Sequence, residues 1–274
     1  MTQPVVIRTL TRHTPQGKTN DQDLVAVEAP VSLHLHPQDG PERDLGLLMR
    51  TPGDDEDLAA GVLTAEGVVR HAADILQIET ILTEQGTEII RVTVGSNADV
   101  QAISDRVGTA TSACGLCGRL SMRQVEHFGA SAAPVTPSVD AAVIRGMSEQ
   151  LRERQQAFAQ TGGLHAAAVF TPEGELLEVR EDVGRHNAVD KILGALLRRD
   201  GLPAQNLILA VSGRIAYEIV QKAAMGGLPV IVAVGAPTDL AIDAARECGI
   251  TLVGFARDER FNVYTFGGRV THRF

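Results

Sequence analysis

Two short runs in the second half of the chain, residues 207–211 and 230–234, are apolar at every position. A strand with one face in water alternates apolar and polar residues, so an unbroken apolar run predicts a strand that is covered on both faces. The residues after the two runs, 214–225 and 240–248, have helical patterns. This alternation predicts a sheet between helix layers, a three-layer α/β/α sandwich over residues 136–274.

The first half of the chain predicts a different, mixed architecture. Residues 1–22 are polar and show no sustained periodicity, so we expect a mobile N-terminal arm. Residues 23–135 predict an α+β domain that ends in a cysteine loop, and the chain is therefore α/β with an α+β N-terminal part. The predicted strands of this half are 24–28, 31–36, 44–50, 75–82 and 89–94, with a helix from Asp55 to about Arg70; a long helix capped by Ser138 and ending near Gln160 opens the second half.

Small residues follow the predicted strands of the sandwich where the next helices begin. Ser212-Gly213-Arg214 follows the first apolar run, and Gly235-Ala236-Pro237-Thr238 follows the second. Ligands bind beyond the carboxyl ends of such strands, and backbone N–H groups at helix starts stabilise phosphate. We therefore expect a nucleotide or a pyrophosphate-bearing cofactor there. The alternative is that Ser212 and Thr238 only cap the following helices. Four arginines can add positive charge to this edge: Arg185, Arg214, Arg257 and Arg260.

Two of the three cysteines, Cys114 and Cys117, stand three positions apart. Such a pair serves as two ligands of a metal site, as a redox dithiol, or as a persulfide carrier with a second thiol beside it. Gly115 and Gly118 make the loop permissive, and Arg119 favours the thiolate form of its neighbours. The residues alone leave these three uses open.

Charge and composition exclude several functions. The net charge of −9 gives no overall positive field for nucleic acid, and an aromatic content of 3% without tryptophan offers no stacking platform for bases. There is no apolar run of about 18 residues, which a membrane span would need, and the N-terminus does not resemble a signal peptide. We therefore expect a cytoplasmic protein whose cysteines stay reduced.

Two pairs of residues that contain histidine are weaker candidates for a functional site. His34 and His36 share one face of a predicted strand, and a solvated strand face explains them better than a metal site because no third ligand is near. Asp182 and His186 have the types of an acid–base pair, but an aspartate that caps the next helix explains the same residues.

Four segments of the chain carry a resemblance to a known family. They are Ser112-Ala113-Cys114-Gly115-Leu116-Cys117-Gly118, Thr161-Gly162-Gly163-Leu164-His165-Ala166-Ala167, Glu181-Asp182-Val183-Gly184-Arg185-His186-Asn187-Ala188-Val189-Asp190-Lys191, and Ser212-Gly213-Arg214. In this order they resemble the FdhD family, the formate dehydrogenase accessory sulfurtransferases. The resemblance runs from about Asp23 to Tyr264 and leaves out only the N-terminal arm and the last residues.

The resemblance implies a sulfur relay and, in addition, a homodimer. Members of the family accept sulfur from a cysteine desulfurase as a cysteine persulfide. They deliver it to the molybdenum or tungsten bis-guanine-dinucleotide cofactor, which formate dehydrogenase needs in sulfurated form. Cys114 matches the persulfide-bearing cysteine, and Cys117 matches the second cysteine of the pair. The cofactor-binding segment matches Phe255-Ala256-Arg257-Asp258-Glu259-Arg260, in which the acidic pair is a poor phosphate ligand, so backbone groups and the two arginines would contact phosphate.

The family's C-terminal half is similar in fold to cytidine deaminases, which hold zinc with His-x-Glu and Pro-Cys-x-x-Cys sequences. None of the eight histidines has a glutamate two residues on, and Ala113 precedes Cys114 where a proline is needed. Adding His127 to the two cysteines still leaves zinc without a fourth ligand. Cys248 ends an apolar helix and is predicted to be a core residue. We therefore expect a nucleotide-binding scaffold without the zinc site.

A persulfide carrier must be exposed when it meets its donor and shielded when it meets its acceptor, and a glycine-flanked loop meets both needs. We expect sulfur transfer onto Cys114 and then to a cofactor at the sheet edge, with release by Cys117 leaving a disulfide. Two alternatives stay open. One is a disulfide oxidoreductase, although the polar segment 105–110 rather than a strand precedes the cysteines. The other is a non-catalytic chaperone that binds the cofactor.

Overall fold

The computed structural model of the chain describes residues 3–103, 137–257 and 259–272. Its first element is a hairpin of two antiparallel strands, β1 (Val5–Thr14) and β2 (Gly17–Ala26). The N-terminal segment therefore has strands that the sequence patterns did not predict, and the mobility of the arm stays a prediction. Most hairpin residues are exposed on both faces, so the alternation of buried and exposed residues that identifies a strand in a sequence is missing.

A four-stranded sheet with one covering helix forms the N-terminal part. Its elements are β3 (Ala29–Pro37), β4 (Arg43–Arg50), α1 (Asp55–Ala65), β5 (Ile75–Leu82) and β6 (Glu88–Val94), in the strand order β4-β3-β6-β5. Leu33 and Leu35 alternate into a core with Leu58 of α1. The helix ends at Ala65 rather than near residue 70, because Gly67 adopts a φ of +78° and turns the chain out of the helix.

The second half forms a six-stranded sheet between helices. Its elements are β7 (Val139–Asp140), α2 (Ala141–Arg154), α3 (Gln156–Thr161), β8 (His165–Phe170), β9 (Leu176–Asp182), α4 (Arg185–Leu197), β10 (Ile208–Val211), α5 (Tyr217–Met225), β11 (Val230–Ala233), α6 (Asp239–Glu247), β12 (Thr251–Arg257), β13 (Arg260–Val263) and β14 (Val270–Thr271). The strand order of the sheet is β13-β12-β11-β10-β8-β9. Strands β10, β11 and β12 are parallel to one another, and their neighbours are antiparallel. Strands β7 and β14 pair separately.

The central strands are buried on both faces, as the two apolar runs predict. Leu209 and Val211 of β10 join the core that α4, α5 and α6 share. Ile208 and Ala210 of the same strand join the core beneath α2. The three-layer α/β/α sandwich is confirmed.

The long helix predicted over residues 138–160 is two helices. Asp140, not Ser138, caps α2, since its Oδ1 accepts a hydrogen bond from the Ala142 N–H at 2.7 Å. The helical conformation breaks at Gln155, where ψ is 78°. Helix α3 then begins against Glu181 of β9, whose carboxylate accepts hydrogen bonds from the N–H groups at residues 157 and 158. A partner so distant in sequence leaves no local signal for this helix start.

Two glycines bring α1 of the N-terminal part directly onto α4 of the sandwich. A Cβ atom at Gly61 would lie 1.7 Å from the Asp190 carbonyl oxygen, and one at Gly194 would lie 1.8 Å from the Asp57 carbonyl oxygen. Only glycine allows the two backbones to approach so closely. The two sheets lie on either side of the domain boundary predicted near residue 135, and this helix pair joins them.

Candidate functional site

A cleft of about 970 Å³ lies at the carboxyl ends of the parallel strands. Ser212 follows β10, Val234 follows β11, and Arg257 ends β12; all three line the cleft. His165, at the start of antiparallel β8, lines it beside them. The cleft is therefore at the edge where the sheet topology predicts a ligand, and its volume suits a nucleotide-sized molecule.

Ser212 fixes the floor of the cleft. Its N–H donates to the Ala166 carbonyl oxygen at 3.0 Å, and its Oγ accepts from the Ala166 N–H at 2.9 Å. Since α5 begins only at Tyr217, with Ala216 as its N-cap residue, Ser212 is not a helix cap. Thr238 is one, because its Oγ1 accepts from the Ala241 N–H at the start of α6.

His165 presents a neutral polar side chain to the cleft. Burial lowers the pKa of this histidine, and the positive charge of Arg185 lowers it further, against the opposing effect of Asp182. The imidazole is therefore uncharged at neutral pH and can both donate and accept one hydrogen bond. Gly213 leaves room for it, since a Cβ atom there would lie 3.4 Å from His165 Nδ1.

The predicted cofactor segment, residues 255–260, runs along one end of the cleft. Arg257 and Glu259 are exposed and line it. Ala256 is fully buried in the core beneath α2 and does not line the cleft. The half-buried Phe255 has a φ of +55°, and its N–H donates to the Gly235 carbonyl oxygen at 3.0 Å. Asp258 lies outside the described residues.

Three of the four arginines predicted at this edge, Arg185, Arg214 and Arg260, do not line the cleft. Arg214 is exposed in the stretch between β10 and α5, next to Ile215, which forms an isolated bridge with Pro237. Arg260 lines an adjoining groove of about 420 Å³, which shares Arg145 and Glu259 with the cleft.

Helix α2 forms a wall of the cleft that was not predicted from the sequence. Arg145, Ser148, Glu149 and Arg152 line the cleft from this helix. Their spacing of three and four residues places them on one helix face. The same spacing could be read from the sequence, because these polar residues recur on a different face of the helix from the apolar positions that identify it.

The segment 181–191, which carried much of the family resemblance, is mainly structural. Asp182 and Lys191 are buried and form an ion pair at 2.8 Å. Lys191 Nζ also donates to the Thr51 carbonyl oxygen at 3.0 Å, and the Asp182 carboxylate accepts from the Thr51 N–H at 3.1 Å. Asn187 Nδ2 donates both to Asp182 Oδ1 and to the Met49 carbonyl oxygen. These bonds attach the end of β4 to the sandwich.

His186 does not pair with Asp182 as an acid–base couple. Its buried Nε2 has no hydrogen-bond partner among the described residues and lies 3.9 Å from a carboxylate oxygen of Glu218. The Asp182 carboxylate accepts instead from the Gly184 N–H, but Gly184 is itself the N-cap residue of α4 and the helix has no side-chain cap, so the capping alternative is wrong as well. His34, on the open face of β3, is paired with Glu42 at 2.5 Å, as a solvated strand face would allow.

A second cavity of about 850 Å³, the acidic cavity, lies between the start of α1 and the sandwich. Leu164 lines both this cavity and the cleft. The acidic residues that line the acidic cavity are Asp54, Asp55, Glu56, Asp57, Glu88 and Glu181, and the basic ones are Arg154, Lys191 and Arg198.

Cys114 and Cys117 lie outside the described residues. Cys248 is buried in the core of the sandwich, as predicted, and burial followed by the charge of Glu247 raises the pKa of its thiol to about 11. Over the described ranges, no group of three or more histidine, cysteine, aspartate or glutamate side chains is placed to hold a metal ion. No helix in the same ranges has the length and apolar character needed to cross a membrane.

Comparisons with known proteins agree with this architecture. Residues 26–271 match the model of the FdhD/NarQ family. A relative from Nocardia farcinica, named "Sulfur carrier protein FdhD", is 42% identical over 96% of this chain and 94% of its own length. One of the same name from Saccharolobus solfataricus is 41% identical over 91% and 92%. A crystal structure from Desulfotalea psychrophila, described as a formate dehydrogenase accessory protein, superimposes with a TM-score of 0.74 at 26% identity and covers 97% of this chain and 99% of its own. The chain therefore belongs to the FdhD/NarQ family.

Proposed function

We propose that this chain is a cytoplasmic, homodimeric sulfurtransferase that carries sulfur as a persulfide on Cys114. The donor is a cysteine desulfurase, and the acceptor is a molybdenum or tungsten bis-guanine-dinucleotide cofactor destined for formate dehydrogenase. The names of the relatives, sulfur carrier and formate dehydrogenase accessory protein, support this role.

The observation that carries the proposal is the cleft at the sheet edge together with the Cys-x-x-Cys sequence. The cleft is large enough for a nucleotide and has Arg257 at the end of β12, where a phosphate group would lie. Ser212 holds the floor by two backbone bonds, so a bound cofactor meets a fixed surface. The cysteines supply the soft nucleophile that sulfur transfer needs.

The loading step follows from thiol chemistry. The Cys114 thiolate attacks the outer sulfur of the donor's persulfide, the donor's sulfur–sulfur bond breaks, and the donor cysteine leaves as a thiolate. For release, the Cys117 thiolate attacks Cys114 Sγ. A Cys114–Cys117 disulfide forms, and the outer sulfur leaves with the electron pair as hydrosulfide for the acceptor.

Complementation tests the proposal in cells that lack their own sulfur carrier. Wild-type protein should restore formate dehydrogenase activity, and Cys114→Ala should not. A Cys117→Ser variant that restores full activity would rule out the disulfide-forming release. Restoration by Cys114→Ala would contradict the sulfur relay and favour the chaperone that only binds the cofactor.

A further inference from the structure

We propose that helix α2 is the phosphate-binding wall of the cleft, with Arg145 and Arg152 holding a nucleotide diphosphate together with Arg257. This inference rests on the proposed function, because it names the residues that would hold the guanine dinucleotide. It replaces the expected roles of Arg185, Arg214 and Arg260, which lie outside the cleft lining.

The helix is a rigid support for these two arginines. Ile144, Met147 and Leu151 of α2 are buried in the core against the central sheet. Arg145 and Arg152 stand seven residues apart, which is two helical turns or about 10 Å along the axis. A ligand as long as a nucleoside diphosphate can therefore contact both side chains at once.

The charges of the cleft are left without partners. Arg145, Arg152 and Arg257 form no ion pair with any residue in the described ranges, although Glu149 and Glu259 also line the cleft. Three arginines against two glutamates leave the cleft positive in a chain whose net charge is −9. A guanidinium group binds phosphate through two parallel N–H bonds, so a phosphate-bearing ligand supplies the missing partners.

Arg145 lies between two sites, because it lines both the cleft and the adjoining groove that contains Arg260 and His272. A dinucleotide that extends beyond the cleft must pass this side chain. Arg145 should therefore contribute to the binding of both short and extended ligands, and Arg152 should act only within the cleft.

The test is calorimetric binding of guanosine diphosphate, and of guanosine as the uncharged probe, to the full chain. The variants are Arg145→Ala and Arg152→Ala. The matched control is Arg154→Ala, since Arg154 is exposed on the same helix but lines the acidic cavity. We expect each cleft variant to bind the diphosphate about tenfold more weakly with unchanged guanosine binding, the loss of one charge-assisted contact. The control should bind like the wild type.

Diphosphate binding that is unchanged in both cleft variants would overturn the role of α2 and leave the proposed function intact. An equal loss in Arg154→Ala would overturn it as well, since only overall charge would then matter. If the wild type binds no guanosine diphosphate, the cofactor site of the proposed function fails, and this inference fails with it. Arg145→Lys and Arg152→Lys, which keep the charge but not the planar fork, should lie between wild type and alanine if the variants are folded.

Discussion

The cleft and the acidic cavity have similar volumes and share Leu164, yet their charges are organised in opposite ways. In the acidic cavity two of the three basic side chains are already paired, Lys191 with Asp182 and Arg198 with Asp57, and only the exposed Arg154 has no ion pair within the described residues. In the cleft, the arginines have no acidic partner within the described residues. Paired charges hold the protein together, whereas unpaired charges are available to a ligand.

This contrast explains why arginine positions alone mislead. Arg50 of β4 is buried and bound to Asp55 and Glu88, and Arg180 of β9 is bound to Asp57. Both are structural. Only the pairing state, which depends on distant residues, separates them from the arginines of α2.

The largest effect should follow from breaking the buried ion pair beside the acidic cavity. Lys191→Ala leaves the Asp182 carboxylate buried without its counter-charge and is expected to lower the free energy of unfolding by about 3–5 kcal/mol. Denaturant unfolding measures this. The control Arg246→Ala removes the exposed pair with Asp243 and should cost at most about 1 kcal/mol. Equal effects of the two variants would remove the distinction between buried and exposed pairs.

The next largest effect should follow from disturbing the contact between α1 and α4, two helices that both line the acidic cavity. Gly61→Ala places a methyl group against the Asp190 carbonyl oxygen and should cost about 3 kcal/mol, since the two helices must separate. Gly146→Ala is the matched control on α2, where the nearest atom would be a side-chain nitrogen at 3.7 Å. This change should be neutral or stabilising by up to about 1 kcal/mol. Thermal unfolding that shows no difference would contradict the close helix contact.

A pH-dependent effect should come from His186. Burial, followed by the charges of Arg185, Lys222 and His165, lowers its pKa from 6.5 to about 3, although a carboxylate oxygen of Glu218 lies 3.9 Å from its Nε2. The folded state therefore binds the proton more weakly than the unfolded state. The stabilising effect is complete above pH 6.5 and is lost as the pH falls towards 3.

The His186→Gln variant should lose less stability on acidification than the wild type. Between pH 6.5 and 5 the difference should be about 2 kcal/mol, from about 1.4 kcal/mol for each pH unit. Denaturant unfolding at pH 7 and pH 5 measures it. Parallel pH profiles of the two proteins would show that the histidine is not buried in its neutral form.

The smallest effect on stability should come from the cleft. Arg145→Ala and Arg152→Ala remove side chains without ion pairs in the described ranges and should change the free energy of unfolding by less than about 0.5 kcal/mol. A loss of several kcal/mol would mean that these arginines are structural, and the comparison of the two cavities would fail.

Much of the fold could be predicted from local patterns. The bounds of β5 and β8 agree with the predicted strands at 75–82 and 165–170, because apolar residues close in sequence identify both strands. The edge of the sheet that holds the cleft could be predicted from the alternation of apolar strands and helices, and Arg257 lies at that edge.

The remainder depends on contacts between distant residues. The carboxylate of Glu181 caps the start of α3, and Lys191 Nζ donates to the carbonyl oxygen of Thr51 in the N-terminal part. Neither contact has a signal in the neighbouring sequence. Arg214 was expected at the ligand because it follows a strand, but it does not line the cleft. The arginines of α2 were not predicted at the cleft, because the residues at strand ends do not indicate which helix covers those ends.

The most direct test of the sulfur relay is intact-protein mass spectrometry after incubation with a cysteine desulfurase and cysteine. The wild type should gain about 32 Da, one sulfur atom, which a reductant removes, and Cys114→Ala should gain nothing. Cys248→Ala is the control, since its buried thiol has a raised pKa and should not compete. Absence of the adduct from the wild type, or its persistence in Cys114→Ala, would contradict the account.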